Sequence, residues 1–499
     1  MPGAEVMKRL RMLLGAVLIV PAGLEAGDQA QWGMAWGRNM VSAETGLPAG
    51  IGFGDGRNVR WQVALGTETH STPVVSGGRV YVGTNNGVPR DAGHAGDRGV
   101  LMAFAENDGR FLWQLVVPKR SEDPYFDWPK SGISSPATVE GDRVYVVTNR
   151  GEVVCLDALG LANGNQGPFR DEGRHMTPEG EPVREPGETD ADILWVTDLT
   201  EVAGIWSHDA AHSSILIDGE NLILNSGTGV DNTHRRIRRP EAPGLVVLDK
   251  ASGRMVARDR ENIATETFHC NWSAPSLAES GGQRRLFFCG GNGMIYAFAP
   301  PGQDRSDGVA ALRKLWVHDP DPSAPKREVH VYNQNRQEGP SNVFGMPVCH
   351  EGRLYVAGGG DLWWGKTSSW LQCLDQESGR LLWTVGLGKH VMSTPAVSGE
   401  LCFIADTDGV IYCFHAVTGR EFWRHATRGD YWASPLVADG RVYLGSRKGG
   451  FVVLAADRRG AQVLGESHAG APVSATAVAA NGRLFLATMT TLYCAEVAK

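Results

Sequence analysis

The sequence has no C-x-x-C, no adjacent cysteine pair and no C-x-x-C-H, although it carries eight cysteines. A zinc ribbon, a thioredoxin-like dithiol and a covalently attached haem are therefore excluded as readings. No apolar run is long enough to span a bilayer; the longest candidate, residues 12–22, is about half what a spanning helix needs. Excess positive charge is missing too. Lysine and arginine total 48 against 56 aspartate and glutamate, a net charge of -8 that argues against a nucleic-acid partner. The one basic cluster, Arg235, Arg236, Arg238 and Arg239, reads as a solvated loop rather than an anion site. Glycine clusters such as residues 290–293 lack the following helix that phosphate binding requires, and are turns.

The N-terminus has the form of an export signal. Lys8, Arg9 and Arg11 precede the apolar run, and small residues follow through Ala26. The expectation is a signal peptide over residues 1–26, a lead-in over 27–58, and a periplasmic or secreted protein. No cysteine precedes Cys155, so no lipid-bearing cysteine is expected.

Against these absences stands a phrase that recurs eight times: a small residue, often Ser-x-Pro, a short apolar run, a Gly-containing turn and an apolar strand. STPVVSGGRVYVGT begins at Ser71, STPAVSGELCFIAD at Ser393 and ASPLVADGRVYLGS at Ala433. The landmark position is held by Pro73, Pro136, Ile215, Pro275, Pro347, Pro395, Pro435 and Ala477. Spacings of 40 to 79 residues fit four-stranded propeller blades with elaborated loops. Period-two alternation and β-branched and aromatic enrichment support strands throughout, and no helical stripe competes. Within each copy the strands are named A to D. The C–D turn repeats as NDGR, KASGR, QESGR, VTGR and DRRG, with Gly expected to supply positive φ, and strand D commonly carries a tryptophan: Trp113, Trp195, Trp316, Trp383 and Trp423. The last copy lacks strand D, while an orphan D-type strand around Trp61 precedes the first. Pairing the two closes the ring and removes an open edge.

Cys155, Cys373, Cys413 and Cys494 align at one strand position, held elsewhere by Ala103, Val247, Ala297 and Val453. A position that takes only small residues is a buried slot, so these are packing thiols. Cys402 and Cys413 flank a hairpin and leave two states open, a bridge or free thiols.

Long connections fall in B–C (residues 88–99, 230–243, 361–369) and D–A (118–133, 260–271, 319–344), which open on the same face. Residues 159–192 lie on the opposite face and read as a polar surface loop. Function sits on loops held by a rigid scaffold, so the elaborated face is the working face.

The blade phrase, S-x-P-x-V-x-x-G-R-V-Y-V followed by x-x-L-D-x-x-T-G-x-x-x-W, resembles the pyrroloquinoline quinone (PQQ)-type propeller repeat over residues 59–499. That repeat occurs in quinoprotein dehydrogenases and in BamB-like outer-membrane assembly scaffolds. GDRVYVVTNRGEVVCLD and ADGRVYLGSRKGGFVVLAA carry the likeness, which extends to exported PQQ-binding-like propeller proteins. The dehydrogenase branch implies PQQ with Ca²⁺, but the adjacent-cysteine disulfide of many such enzymes is absent. GGGDLWWG at residues 358–365 is similar to their Gly-rich, Trp-containing turn. No Ca²⁺-binding Glu/Asn/Asp set matches residue by residue, so no cofactor is assigned. BamB-like scaffolds need none.

Strand A is innermost, so residues just before it crowd the mouth of the central channel. These are His70, Lys130, His208, His212, His269, Asn271, Phe344, His390, Tyr431 and Trp432, which include five of the fourteen histidines. Trp363 and Trp364, beside Asp361, sit on an elaborated loop. One reading is a polar, partly aromatic funnel for a small anionic or carbohydrate-like ligand. The other is that individual histidines cap strand ends and the tryptophans pack their loop. No metal is assigned, because His208 and His212 form the sole H-x₃-H pair and no H-x-H exists. The expectation is an all-β, eight-bladed propeller whose loop-rich face binds an envelope protein or a small polar ligand, acting as a monomer. The alternative is a PQQ-dependent dehydrogenase oxidising an alcohol or sugar.

Overall fold

A computed structural model describes residues 26–120, 126–210, 212–302 and 308–498; the expected signal peptide lies, but for Ala26, outside them. Among the described residues the strands form eight sheets, each with a meander of four antiparallel strands. In the first blade they are Val74–Ser76, Arg79–Asn85, Arg98–Ala105 and Phe111–Pro118. Their alternation buries both faces of strands B and C between neighbouring blades. Val59–Ala64 runs antiparallel to Thr491–Ala495, with Trp61 opposite Cys494, and serves as strand D of the last blade.

The D-strand tryptophans join blades. The Trp61 indole N–H donates to the carbonyl of Glu106 at 2.9 Å, Trp113 to Ala158 at 3.0 Å, Trp383 to Ala416 at 3.0 Å and Trp423 to Asp457 at 2.7 Å. Each acceptor lies in the C–D turn of the next blade. In the turns that receive Trp61, Trp113 and Trp383, the glycine (Gly109, Gly160 and Gly419) has positive φ and no room for a side chain, whereas Gly460 in the turn that receives Trp423 has open space and no positive φ. A Cβ on Gly109 would meet the Trp61 ring at 2.8 Å, and one on Gly419 the Trp383 ring at 2.7 Å. In those three turns the Gly is thus needed twice, for the left-handed backbone and for the indole lying against it.

Two junctions have no such tryptophan, and each has a substitute. Between the third and fourth blades, Ala310–Ala311 leaves the fourth blade's C–D connection and pairs in parallel with Ala257 and Arg258 of the third. Between the seventh and eighth, Phe53 of the lead-in sits edge-on to Phe451 (6.0 Å) and Tyr493 (5.0 Å).

The lead-in fills the hole in the ring. Its backbone meets the inner edge of blade after blade at the same register. The N–H of Val75 bonds Gln29 O, Val139 bonds Ala30 O, Leu277 bonds Trp36 O, Cys349 bonds Gly37 O and Val437 bonds Met40 O, all at 2.8–3.0 Å. The Trp36 indole reaches Ile217 O in the third blade at 3.0 Å, and the Asn39 side chain brackets Val397 in the sixth. In the eighth, Glu44 receives the N–H groups of Asn481 and Gly482. These are edge groups that the channel would otherwise leave unpaired. Arg38, fully buried on this segment, donates to Pro275 O, Trp32 O, Ser214 O and Ser214 Oγ. Burial pushes its guanidinium down to about 9.

The cysteine slot is a sandwich. Cys155 lies opposite Tyr145 on one side and Trp195 on the other, Cys373 between Tyr355 and Trp383, and Cys494 between Phe485 and Trp61. Cys402 pairs with Phe414 and Cys413 with Phe403, so the two are one register step apart and face opposite sides of the sheet. All eight cysteines are free thiols. The segment 159–192 is less of a loose surface loop than expected: it covers the outer edge of the first blade, where Gln114 N bonds Thr189 O and Gln114 O accepts from Ala191 N.

Replacing Trp383 with alanine is expected to cost about 3–5 kcal/mol. Gly419→Ala, which adds one methyl group, should also lower the thermal unfolding midpoint, by forcing the same indole off its turn. Gly440→Ala, a positive-φ glycine with open space around it, isolates the backbone contribution and should lower the midpoint less.

Candidate functional site

The elaborated face opens into a cavity of about 500 Å³ at the mouth of the channel. The chain reaching each strand A is extended, so alternate residues face the axis. Three residues before the landmark, His70, His212, Trp272, Phe344, Met392, Trp432 and Ser474 all line the cavity. One residue before it, Thr72, Met346, Thr394, Ser434 and Thr476 form the next tier. Trp32 of the lead-in also belongs to the lining, so the plug turns a through-channel into a dead-end cup.

One wall is aromatic. Trp272 and Trp363 stack at 6.0 Å and 27°, Phe344 packs against both, and Trp432 meets Trp363 edge-on at 5.5 Å. At the rim Arg447 lies over the Trp432 ring at 3.9 Å, and His70 stacks on its side.

The other wall is imidazole. His208, His234 and His269 form a triangle of rings with centroids 4.7–4.9 Å apart. They come from three elements: the connection after the second blade, the B–C loop of the third, and the D–A loop that follows. Trp364 stacks on His234 at 4.3 Å. His269 Nδ1 donates to Asp361 Oδ2 at 2.8 Å, and Asp361 Oδ1 takes the backbone N–H groups of Trp363 and Trp364 at 2.9 Å each. One buried carboxylate therefore fixes the imidazole and the tryptophan pair together. Asp209 stands between two rings, 3.5 Å from His208 Nε2 and 3.6 Å from His269 Nε2. Asp209 and Ala210 both have positive φ, a conformation that turns the carboxylate toward the rings.

Electrostatics separates the three rings. Burial pushes His208 and His234 down to about 4, so both are neutral at pH 7. For His269 burial acts in the same direction, but Asp361 and Asp209 outweigh it and raise the ring to about 10. Burial would raise both carboxyls, yet His269 holds each below the ordinary carboxylate range.

The other expected residues divide. His70, His212, His269, Trp363, Trp364 and Trp432 line the cup, while His208 and Asp361 lie directly behind it. Four are not brought in. Lys130 is exposed at the rim, with its backbone held by Asp97 and Asn85. Asn271 is consumed by the backbone of Thr228 and Gly291, and His390 by Lys366 O. Tyr431 points into the sheet packing and bonds Thr427. Asn271 and Tyr431 sit four residues before their landmarks, the parity that faces away from the axis. The pattern reading also misses Trp272, Asp209 and His234, though His234 lies in a loop it marks as elaborated.

Asp361→Asn removes the charge that keeps His269 protonated. Ring ¹⁵N shifts of histidine-labelled, EDTA-treated protein should show a His269 still charged at pH 8 in the parent, and a His269 that titrates at lower pH in the variant.

Comparison with known proteins follows the fold. No curated protein sequence matches the chain. Among solved structures, the europium-containing methanol dehydrogenase superposes with a TM-score of 0.61 at 11% identity, covering 95% of this chain and 98% of its own. Quinohemoprotein alcohol dehydrogenase ADHIIG from Pseudomonas putida HK5 gives 0.56 at 12%, covering 95% and 81%. BamB from Moraxella catarrhalis gives 0.52 at 14%, covering 88% and 97%. At such identities the likeness is one of fold. Among the described residues no helix is long and apolar enough to cross a membrane. The sequence model described as outer membrane protein assembly factor BamB matches residues 31–158, 97–335 and 367–491, and by that match the chain belongs to this PQQ-like β-propeller family.

Proposed function

We propose that the protein is an exported binding scaffold whose cup takes one small polar ligand with an extended apolar face, of the carbohydrate-like kind. The observation that carries this reading is the cup itself: a dead end with indoles on one wall and polar groups on the other. Its volume falls within the range of small-molecule sites. Stacked indoles suit the C–H face of a sugar ring, while Ser474 and His212 of the lining carry polar atoms, Oγ and Nδ1, that have no hydrogen-bond partner in the protein. An envelope protein docking on the same loops belongs to this reading as a second class of partner.

The family also includes quinoproteins, so PQQ with Ca²⁺ requires a test against the residues present. Ca²⁺ takes six to eight oxygen ligands. Among the described residues the carboxylates of the cup lining are Glu68 and Asp209, the latter turned toward two imidazoles. The donor set gathered here is nitrogen-rich, and among the described residues Arg447 is the sole lysine or arginine in the lining to meet the carboxylates of PQQ. The residues do not fit that cofactor, and no catalytic step is derived through it.

Intrinsic tryptophan fluorescence, titrated with mono- to trisaccharides and small carboxylates, tests the proposal. At least one compound should give a saturable change with one-to-one stoichiometry, and Trp363→Ala should weaken it about 2- to 10-fold, the equivalent of one lost aromatic stacking contact. Stoichiometric retention of PQQ with Ca²⁺ and substrate-dependent dye reduction would favour the dehydrogenase instead.

A further inference from the structure

We propose that His208, His234 and His269, with Asp209, form a binding site for one divalent transition-metal ion of the zinc class, set in the wall of the cup. One ring nitrogen from each of the three buried histidines lies within 4.8 Å of those of the other two. This inference goes beyond the ligand reading, because the site stands whether or not an organic molecule enters the cup.

The hydrogen bonds around the rings aim their donors at one point. His208 Nδ1 donates to Val230 O at 2.8 Å, and His269 Nδ1 to Asp361 Oδ2 at 2.8 Å. The His234 ring is held by stacking on Trp364 at 4.3 Å. Metal-ligating histidines are oriented as His208 and His269 are, with a carbonyl or carboxylate holding the nitrogen remote from the metal. His208 Nε2 and His234 Nε2 face each other at 3.1 Å. One hydrogen bond between them would account for that pair alone. It leaves His269 Nε2 and Asp209 Oδ1, both buried, without hydrogen-bond partners on the same spot.

The distances suit an ion. Donors about 2.0–2.1 Å from a tetrahedral zinc stand about 3.4 Å apart. Here Asp209 is 3.5 and 3.6 Å from its two imidazoles, and His208 and His234 are 3.1 Å apart. The remaining imidazole separations, at most 4.8 Å, need an inward shift of about 1 Å to reach that spacing. Charge agrees when the ion displaces the Nε2 proton of His269: two buried carboxylates, Asp209 and Asp361, are then neutralised by one divalent ion. Nitrogen donors select a late first-row metal over Ca²⁺ or Mg²⁺. His234, His269 and Asp209 line the cup, so a ligand there has access to the metal's coordination sphere.

The test uses the full mature chain, stripped with EDTA and titrated with Zn²⁺ by calorimetry and with Co²⁺ by visible absorption. The expected result is one ion per chain with a sub-micromolar Kd and a Co²⁺ d–d band of four- or five-coordinate intensity. His234→Ala should weaken binding by ~100-fold or more and abolish the band, and Asp361→Asn, acting as a positioning residue, by about 10–100-fold. His425→Ala, on a D strand away from the cup, should bind as the parent does. If His234→Ala fails to fold, His234→Gln is measured in its place. Binding that is weak or of indefinite stoichiometry, or equal in parent and His234 variant, overturns the site.

Discussion

Eight sheets arranged radially cannot close to a point. Their innermost strands leave a hole lined by backbone groups that have spent only one edge on hydrogen bonding. In this protein the hole is filled by the chain's own lead-in, which pairs with the second residue of strand A in most blades and brings Arg38 and Trp32 onto the axis. That filling sets everything above it. A through-channel becomes a cup, and the loops of the elaborated face acquire a floor to pack toward.

The ring around the plug is held by a repeated contact between an indole and a glycine turn. Its cost to sequence freedom explains why the C–D turns look alike while loops diverge. Where the indole is missing, at the third and seventh blades, a parallel strand and Phe53 bridge the junction. The lead-in therefore acts twice, as axial plug and as wedge between the last two blades.

Much of this was legible in the residues. Ser-x-Pro phrases, glycine turns and the surplus strand around Trp61 carry the eight-bladed arrangement, because each is a local consequence of strand and turn chemistry. The slot shared by Cys155, Cys373, Cys413 and Cys494 was legible for the same reason. The plug was not, since an irregular segment has no period; some of its partners lie 437 to 453 residues away, as the contacts of Glu44 and Asp28 with Asn481 show. The site was half legible. His70, His212 and Trp432 follow from alternation before strand A, and the same alternation, counted strictly, removes Asn271 and Tyr431 and adds Trp272. His234 follows from no pattern: its loop folds back over the mouth and meets His208 and His269 only in three dimensions.

The cup depends on the lead-in being part of the folded ring, and amide hydrogen exchange followed by mass spectrometry tests this directly. Peptides covering residues 28–44 should exchange as slowly as those covering the A strands they pair with, on the timescale of global unfolding. Complete exchange of that segment within seconds, while the blades stay protected, would show an open channel and contradict the account.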